Sequence, residues 1–423
     1  MWRQPWGYKE GWAICIGLFI TGAVLQLTAG KVDPTLFRYP LNAITGGLFL
    51  FFLIMVYVAS RKTAALQWFY SLTASITSLT AWMVLVIIMG LTRQVAPSVT
   101  VTHGGLLSGL GFMQMTLSWP FMLLFLYFLS VLGLVIIRKV AHFRKKDIPF
   151  ILNHAGLFIT LLAAILGNGD LQRMRMTVPL EQPEWRATNE IGEMKELPLA
   201  IELKSFTIDE YPPKLLAIDN TTGNALPENN PENMLVEETP LSGSLLDWEV
   251  EVIRSLPMAA CVHGKDTVNF VEFHSEGATS AVFVRVRNKK DGAEKSGWVS
   301  CGNFMFPYVS LQLNDEISLV MPGREPKRFA SEVSVYTQDK KQADALIEVN
   351  KPFSIAGWKI YQLSYDETKG KWSTVSVFEL VRDPWLPVVY AGILMLLLGS
   401  VCLFIQAPGN KEEEAAVNDT KTE

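Results

Sequence analysis

Six long apolar stretches constrain this chain more than any other feature of its sequence. A helix needs about 20 predominantly apolar residues to cross the hydrocarbon core of a bilayer. Five runs of that kind fall within the first 167 residues: about 12–30 (WAICIGLFITGAVLQLTAG), 41–60, 72–91, 119–137 and 149–167. A sixth covers 385–405 (WLPVVYAGILMLLLGSVCLFI). The first run is too long for the core of a signal peptide and lacks a clear small-residue cleavage site, so it is expected to be retained. Trp6, Trp12, Trp68, Trp119 and Trp385 sit near the ends of these runs, where indole rings anchor helices at the membrane interface.

The Lys/Arg bias of the short loops sets an expected orientation. Arg3 and Lys9, the Arg61–Lys62 pair, and Arg138, Lys139, Arg144, Lys145 and Lys146 all fall on one side if the N-terminus is cytoplasmic. The opposing loops carry Lys31, Arg38 and Arg93. On this reading 1–167 is a membrane domain of five spans. Residues 168–384 lie outside the cytoplasm, 385–405 is a returning span, and 406–423 is a disordered cytoplasmic tail. The setting expected is the bacterial cytoplasmic (inner) membrane, with the large domain on the periplasmic or outer side.

Composition supports the division. The chain is 49% hydrophobic and 18% charged, but the charge is concentrated in the outer part. Residues 168–384 hold 23 Lys+Arg against 33 Asp+Glu, and the remainder 14 against 8. An acidic outer domain argues against a nucleic-acid partner. Within it, hydrophobicity alternates with period two in LAIELKSFTI, SAVFVRVRN, SEVSVYT, GWKIYQLSY and STVSVFELV. Such runs, rich in β-branched and aromatic residues and bounded by Gly, Pro, Asn and Asp, predict an antiparallel sandwich or barrel-like domain. The fold class expected is six transmembrane α-helices plus a large extracytoplasmic antiparallel β-rich domain. Residues 218–241 (IDNTTGNALPENNPENMLVEETPL) read as a long loop.

Motifs for independent catalysis are missing. No Gly-rich phosphate loop, HExxH or GxSxG occurs, and no CxxC or CxxCH. Cys15 and Cys402 lie in apolar runs as packing residues, whereas Cys261 and Cys301 fall in the outer domain, where pairing and free thiols both stand open.

Among five histidines, His154 (ILNHAGLFITLLAAILG) is the informative one, because a titratable group inside a span is costly and often functional. Five residues past Pro149, it lies about 8 Å into the helix. An imidazole there either ligates a metal or relays protons, or only hydrogen-bonds a neighbouring helix, with Asn153 as the adjacent polar residue. His142, in the basic loop, reads as a solvated charge. His103 reads as an outer-loop residue, and His263 and His274 as surface or packing residues. The basic loop is most simply a topology signal and a contact for anionic lipid in the bilayer, with attraction of an anionic ligand as the alternative.

Three blocks resemble the ResB-like family, also called CcsB, of the system II cytochrome c maturation machinery. They are FILNHAGLFITLLAAILGNGDLQR (150–173), EVNKPFSIAGWKIYQLSYD (348–366) and RDPWLPVVYAGILMLLLGSVCLF (382–404). The second is similar to the family's VN-x-P…G-x-x-x-YQ-x-SY signature and the third to its closing DP-x-x-P-x-VY-x-G helix. The plan of several early spans, an outer β domain and one final span also matches. The resemblance implies a subunit of a cytochrome c synthase (haem lyase) complex that helps move haem across the membrane and present it to apocytochrome c. It implies that His154 is an axial ligand of transiently bound haem b, that no catalytic residue resides in this chain, and that a CcsA-like membrane subunit is its partner. That subunit would bring the Trp-rich outer loop this sequence lacks, so the chain would be a non-catalytic or partial subunit. Two other classes compete: a membrane-anchored scaffold or receptor displaying a β domain without binding haem, and a transporter, which the lack of evident inverted repeats disfavours.

Overall fold

The computed structural model describes residues 4–96, 99, 105–264 and 267–406. His103 and the tail at 407–423, both assigned from sequence, lie outside the described residues. The chain divides into two compact units, one formed by 1–172 with 382–423 and the other by 173–381.

The first unit is helical. In chain order it contains α1 (Tyr8–Ala29), α2 (Leu41–Ser60), the single turn α3 (Ala64–Gln67), α4 (Leu72–Leu91), the single turn α5 (Leu106–Gly109), α6 (Trp119–Ala141), α7 (Ile148–Gly167) and α8 (Leu386–Gln406). Among the described residues, α1, α2, α4, α6, α7 and α8 are long and apolar enough to cross a membrane. The chain is a multi-pass membrane protein. Its helix surfaces agree with a lipid solvent: Leu48, Phe51 and Phe52 on α2 and Leu394 and Leu397 on α8 are all more than half exposed. Contiguous apolar surface of that extent is rare on soluble monomers.

Helix α6 is the buried axis of this unit. Phe121, Leu124, Phe125, Phe128, Leu129, Val131 and Leu132 on it are all buried. Trp82 of α4 stacks on Phe128 with centroids 5.2 Å apart and planes 7° from parallel. Close approach elsewhere uses missing side chains: a Cβ on Gly133 would meet Leu53 Cδ1 at 2.6 Å. Helix α6 runs further than its apolar stretch, through Arg138 and Lys139, whose charges suit the C-terminal end of a helix dipole.

The exits of three helices on one side are joined through Asp170. Its Oδ1 accepts the Tyr39 N–H at 2.7 Å, and its Oδ2 accepts Asn42 Nδ2 at 2.7 Å and the Trp385 indole Nε1 at 2.8 Å. Asn42 is fully buried at the head of α2, and its Nδ2 also donates to the Phe37 and Leu166 carbonyls, both at 2.9 Å. Trp385, expected as an interfacial anchor, is therefore also a hydrogen-bond donor to this cluster.

The second unit is all β and contains both of the forms expected. Eight strands make one sheet, in the order Gln342–Glu348, Pro326–Thr337, Met194–Glu210, Glu184–Asn189, Gln172–Pro179, Val375–Arg382, Trp358–Tyr365 and Phe353–Ile355. The last strand returns beside the first through a Glu348–Lys351 bridge, so the sheet nearly closes as a barrel. Alternate residues point inward, as period-two patterning requires: Met174, Met176, Val178, Ile201, Leu203, Val333, Val335, Trp358, Ile360, Phe378 and Leu380 form its core. Glu348 accepts from Arg328 and, at 2.9 Å, from Lys351, and these cations hold its carboxyl down to about 2.

The other two sheets face each other as a sandwich. One runs Glu294–Ser300, Thr279–Asn288, Trp248–His263, Leu241–Leu245, with Val268–Glu272 also on Trp248–His263. The other runs Leu311–Gln312, Ile317–Val320, Lys214–Asp219, Asn233–Leu235. Leu215, Met234, Leu245, Trp248, Val250, Val284 and Leu319 share one core between them. The 218–241 loop reading needs correction here. Asn233–Leu235 pairs with Lys214–Asp219 and buries Met234, and Leu241–Leu245 begins where the loop was expected to end. The short NML segment carries too few residues for an alternation to register. All four cysteines are free thiols, Cys261 and Cys301 included.

Candidate functional site

In the helical unit α6 and α7 form a hairpin whose link carries the basic residues. The α6 helix ends at Ala141, and Lys145–Asp147 makes one 3-10 turn. Then Pro149 opens α7 in the first-turn position where its missing N–H is harmless. Lys139 Nζ donates to Asp147 Oδ1 at 2.9 Å across the hairpin. This fold-back sets the basic loop beside the first two turns of α7, which carry His154.

The cleft that results has a volume of about 800 Å³, within the usual range of small-molecule pockets, roughly 300–1,000 Å³. Helical spacing decides what faces it. Phe128, Val131, Leu132, Val135, Arg138 and Lys139 form one stripe of α6, continued by His142 just past its end, and Phe150, His154 and Leu157 form one stripe of α7, preceded by Asp147. Tyr70, Ser71, Leu72, Ser75 and Leu79 close the third side from the start of α4, where Ser71 Oγ caps the helix by accepting Ala74 N–H at 3.3 Å. Apolar side chains line the length of the cleft. Arg138, Lys139, His142, Arg144 and Lys146 gather at one end.

His154 is half-buried on the α7 wall. Its Nδ1 lies 2.9 Å from the Phe150 carbonyl oxygen, and its ring stacks on the Phe150 ring with centroids 3.8 Å apart at 20°. A carbonyl oxygen only accepts, so Nδ1 carries the proton and Nε2 the lone pair. Nε2 has no hydrogen-bond partner among the described residues. Lys139 Nζ sits 5.3 Å from the centroid of the Phe150 ring, and the Arg138 guanidinium 5.0 Å from that of Tyr70. An imidazole with one nitrogen fixed and the other free suits metal ligation or proton acceptance.

The structure resolves several sequence readings. His154 bonds its own helix rather than a neighbour, and Asn153 instead donates to Ser400 Oγ of α8 at 2.7 Å. Gly156, two residues past His154, has no side chain to keep a neighbour away. It is buried against α8, where a Cβ would meet Leu396 N at 2.5 Å, so the helix takes that face. His142, read as a solvated charge, is exposed but lines the same cleft as His154. Its Nδ1 lies 3.1 Å from the Arg138 carbonyl. The hairpin link was the signal available for this, since a short loop between antiparallel helices must fold its charges over both helix ends. His263 has its Nδ1 3.7 Å from Cys261 Sγ, and His274 its Nε2 4.0 Å from Glu272; both lie in exposed settings of the β unit. Among the described residues no group of three or more His, Cys, Asp or Glu side chains is placed to hold a metal ion.

An apolar slot with a free imidazole nitrogen on its wall and cations at one end fits a flat, largely apolar macrocycle that carries iron and carboxylates. His154 is the side chain that would hold the iron.

Comparison with known families is consistent with the resemblance drawn from the sequence. Residues 262–376 match the model of the ResB-like family. That is just over a quarter of the chain, all of it within the β unit, and it takes in the whole of the 348–366 block. His154 and the 382–404 block lie outside the matched residues. No curated protein matches the chain.

Proposed function

We propose that this protein is a haem-handling subunit of a system II cytochrome c synthase, with His154 as an axial ligand of haem in transit. The observation that carries the reading is the joining, in one cleft, of an unengaged imidazole Nε2, an apolar wall and a cationic end. The ResB-like match in the β unit supports the same assignment from an independent part of the chain.

Haem is cargo in this account. His154 binds it through Nε2 while the Phe150 carbonyl fixes the ring tautomer, and Leu79, Phe128, Val131, Leu132 and Leu157 exclude water from the macrocycle faces. The Lys/Arg bias of the loops supports a cytoplasmic basic link and an extracytoplasmic 168–384, on the side where apocytochrome c presents its thiols. The chain has no Trp-rich outer loop, so presentation requires a CcsA-like partner that supplies the second axial ligand. The test is to purify the full chain alone and together with a CcsA-like subunit, and to measure haem absorbance and maturation of a reporter c-type cytochrome. Maturation is expected only on co-expression; maturation by this chain alone contradicts the partial-subunit reading.

A second reading, a membrane-anchored scaffold or receptor without haem, draws on the family match lying wholly in the β unit. Protein that never carries haem in any preparation yet holds the partner stably would favour it.

A further inference from the structure

The charges lining the cleft are unbalanced. Arg138, Lys139, Arg144 and Lys146 stand at its basic end, and Asp147 is the one carboxylate among the lining residues. Asp147 is taken by Lys139. Among the described residues no carboxylate lies within ion-pair distance of Arg138, Arg144 or Lys146. Asp147 also attracts Arg144 and Lys146 at longer range, but one carboxylate among four cations leaves this end net positive, and the excess charge repels itself unless an anion joins it.

We propose that Arg138, Arg144 and Lys146 form a dicarboxylate subsite, which makes the cleft select a macrocycle bearing two free carboxylates over the same macrocycle with those groups esterified. The inference rests on the haem reading above and adds its specificity determinant. From Asp147 at the rim to His154 the helix rises about 10 Å at 1.5 Å per residue. A ligand that engages both ends must therefore be an extended, amphipathic one, apolar along its body and anionic at one edge. Guanidinium groups suit the edge, since their planar forks match carboxylates in paired hydrogen bonds. Lys139, held by Asp147 and resting over Phe150, braces the His154 wall and is not needed as a ligand of the anion.

The test titrates ferric protoporphyrin IX and its dimethyl ester into the purified full-length chain in neutral detergent, following the Soret band. Comparing the diacid-to-diester affinity ratio between proteins cancels the ester's different partition into detergent. Wild type should favour the diacid by about tenfold or more over the ratio seen in Arg138→Gln/Arg144→Gln/Lys146→Gln, the loss expected from removing charged contacts. Arg138→Lys/Arg144→Lys, which keeps the charge but loses the paired hydrogen bonds, should retain only part of the preference. An unchanged ratio in the triple Gln variant, with His154-dependent binding of both compounds, overturns the subsite but leaves the haem reading intact. If in addition wild type alone retains phosphatidylglycerol through purification, the cations serve lipid headgroups instead. Failure of both compounds to shift the Soret band in wild type contradicts the haem reading itself.

Discussion

The His154 ring is fixed at both its face and its Nδ1 by one residue: Phe150, four positions earlier on α7, stacks on it at 3.8 Å and offers its carbonyl at 2.9 Å. One helical turn thus sets both the orientation and the tautomer of the candidate ligand. Phe150→Leu keeps the carbonyl and removes the stack. An aromatic pair contributes about 0.5–1.5 kcal/mol beyond its buried area, so haem affinity should fall about threefold to tenfold while the ligation spectrum stays unchanged. Spectroscopic titration of the purified variant measures this. A changed ligation spectrum would mean that the ring, not the carbonyl, sets the tautomer.

Asp170 should matter for stability rather than for haem. It accepts from Tyr39, Asn42 and Trp385, and Asp170→Ala leaves the Tyr39 N–H and the Trp385 indole without this acceptor, while the buried Asn42 amide keeps the Phe37 and Leu166 carbonyls. Losing hydrogen bonds to a charged group costs about 1.5–3 kcal/mol each, so the melting temperature in detergent should drop by several degrees. The pH sign follows. Burial alone would raise the Asp170 carboxyl, but the Tyr39 amide, the Trp385 indole and the Asn42 amide together hold it below its ordinary value of 3.8. Its stabilisation is therefore complete above that value and is lost as pH falls through the lower, folded-state value. Thermal melts between neutral pH and about pH 3 should show an acid-side loss that Asp170→Asn flattens. Parallel curves for the two proteins would show that the cluster contributes nothing.

The 353–355 and 358–365 strands meet in a two-residue hairpin at Ala356 and Gly357, with φ of 51° and 80°. Both central residues are left-handed, as a type I′ turn demands, and glycine tolerates this best. Gly357→Val should destabilise the β unit by roughly 1–2 kcal/mol, and Ala356→Asn should be neutral or stabilising. Chemical denaturation followed by tryptophan fluorescence reads both. A neutral Gly357→Val would mean the turn relaxes to another type.

Much of this architecture was legible because its causes are local. Runs such as 41–60 and 72–91 mark their helices to the residue, since the bilayer admits no other spanning structure for them. Strands with clean alternation, such as Thr279–Asn288, were equally plain. What escaped was non-local. Asp170, Asn42 and Trp385 are far apart in sequence, and only the folded helix ends bring them together. The same holds for the cleft. His154 stood out alone as a polar residue in a span, but that α4 contributes Ser75 and Leu79 to its opposite wall depends on helix packing that periodicity does not encode.

Orientation is open to direct assay. Added to intact spheroplasts, a protease should cut within 173–381 and leave the basic link at 138–146 whole, as the Lys/Arg bias requires. Cleavage of the link with the β unit untouched would reverse the topology and place the basic end of the cleft outside.

The central claim is that His154 holds haem, and the most direct test is haem absorbance per mole of full-length protein purified with its CcsA-like partner, wild type beside His154→Ala. Removing the His154 imidazole leaves the macrocycle held by the partner's axial ligand, apolar contacts and charge, without this chain's proposed ligand to iron. The account predicts that the variant reaches wild-type abundance in the membrane, carries at most about a tenth of the haem, matures little reporter cytochrome, and recovers in part when imidazole is added. Wild-type haem content and maturation in His154→Ala would contradict it and leave His154 as a packing residue.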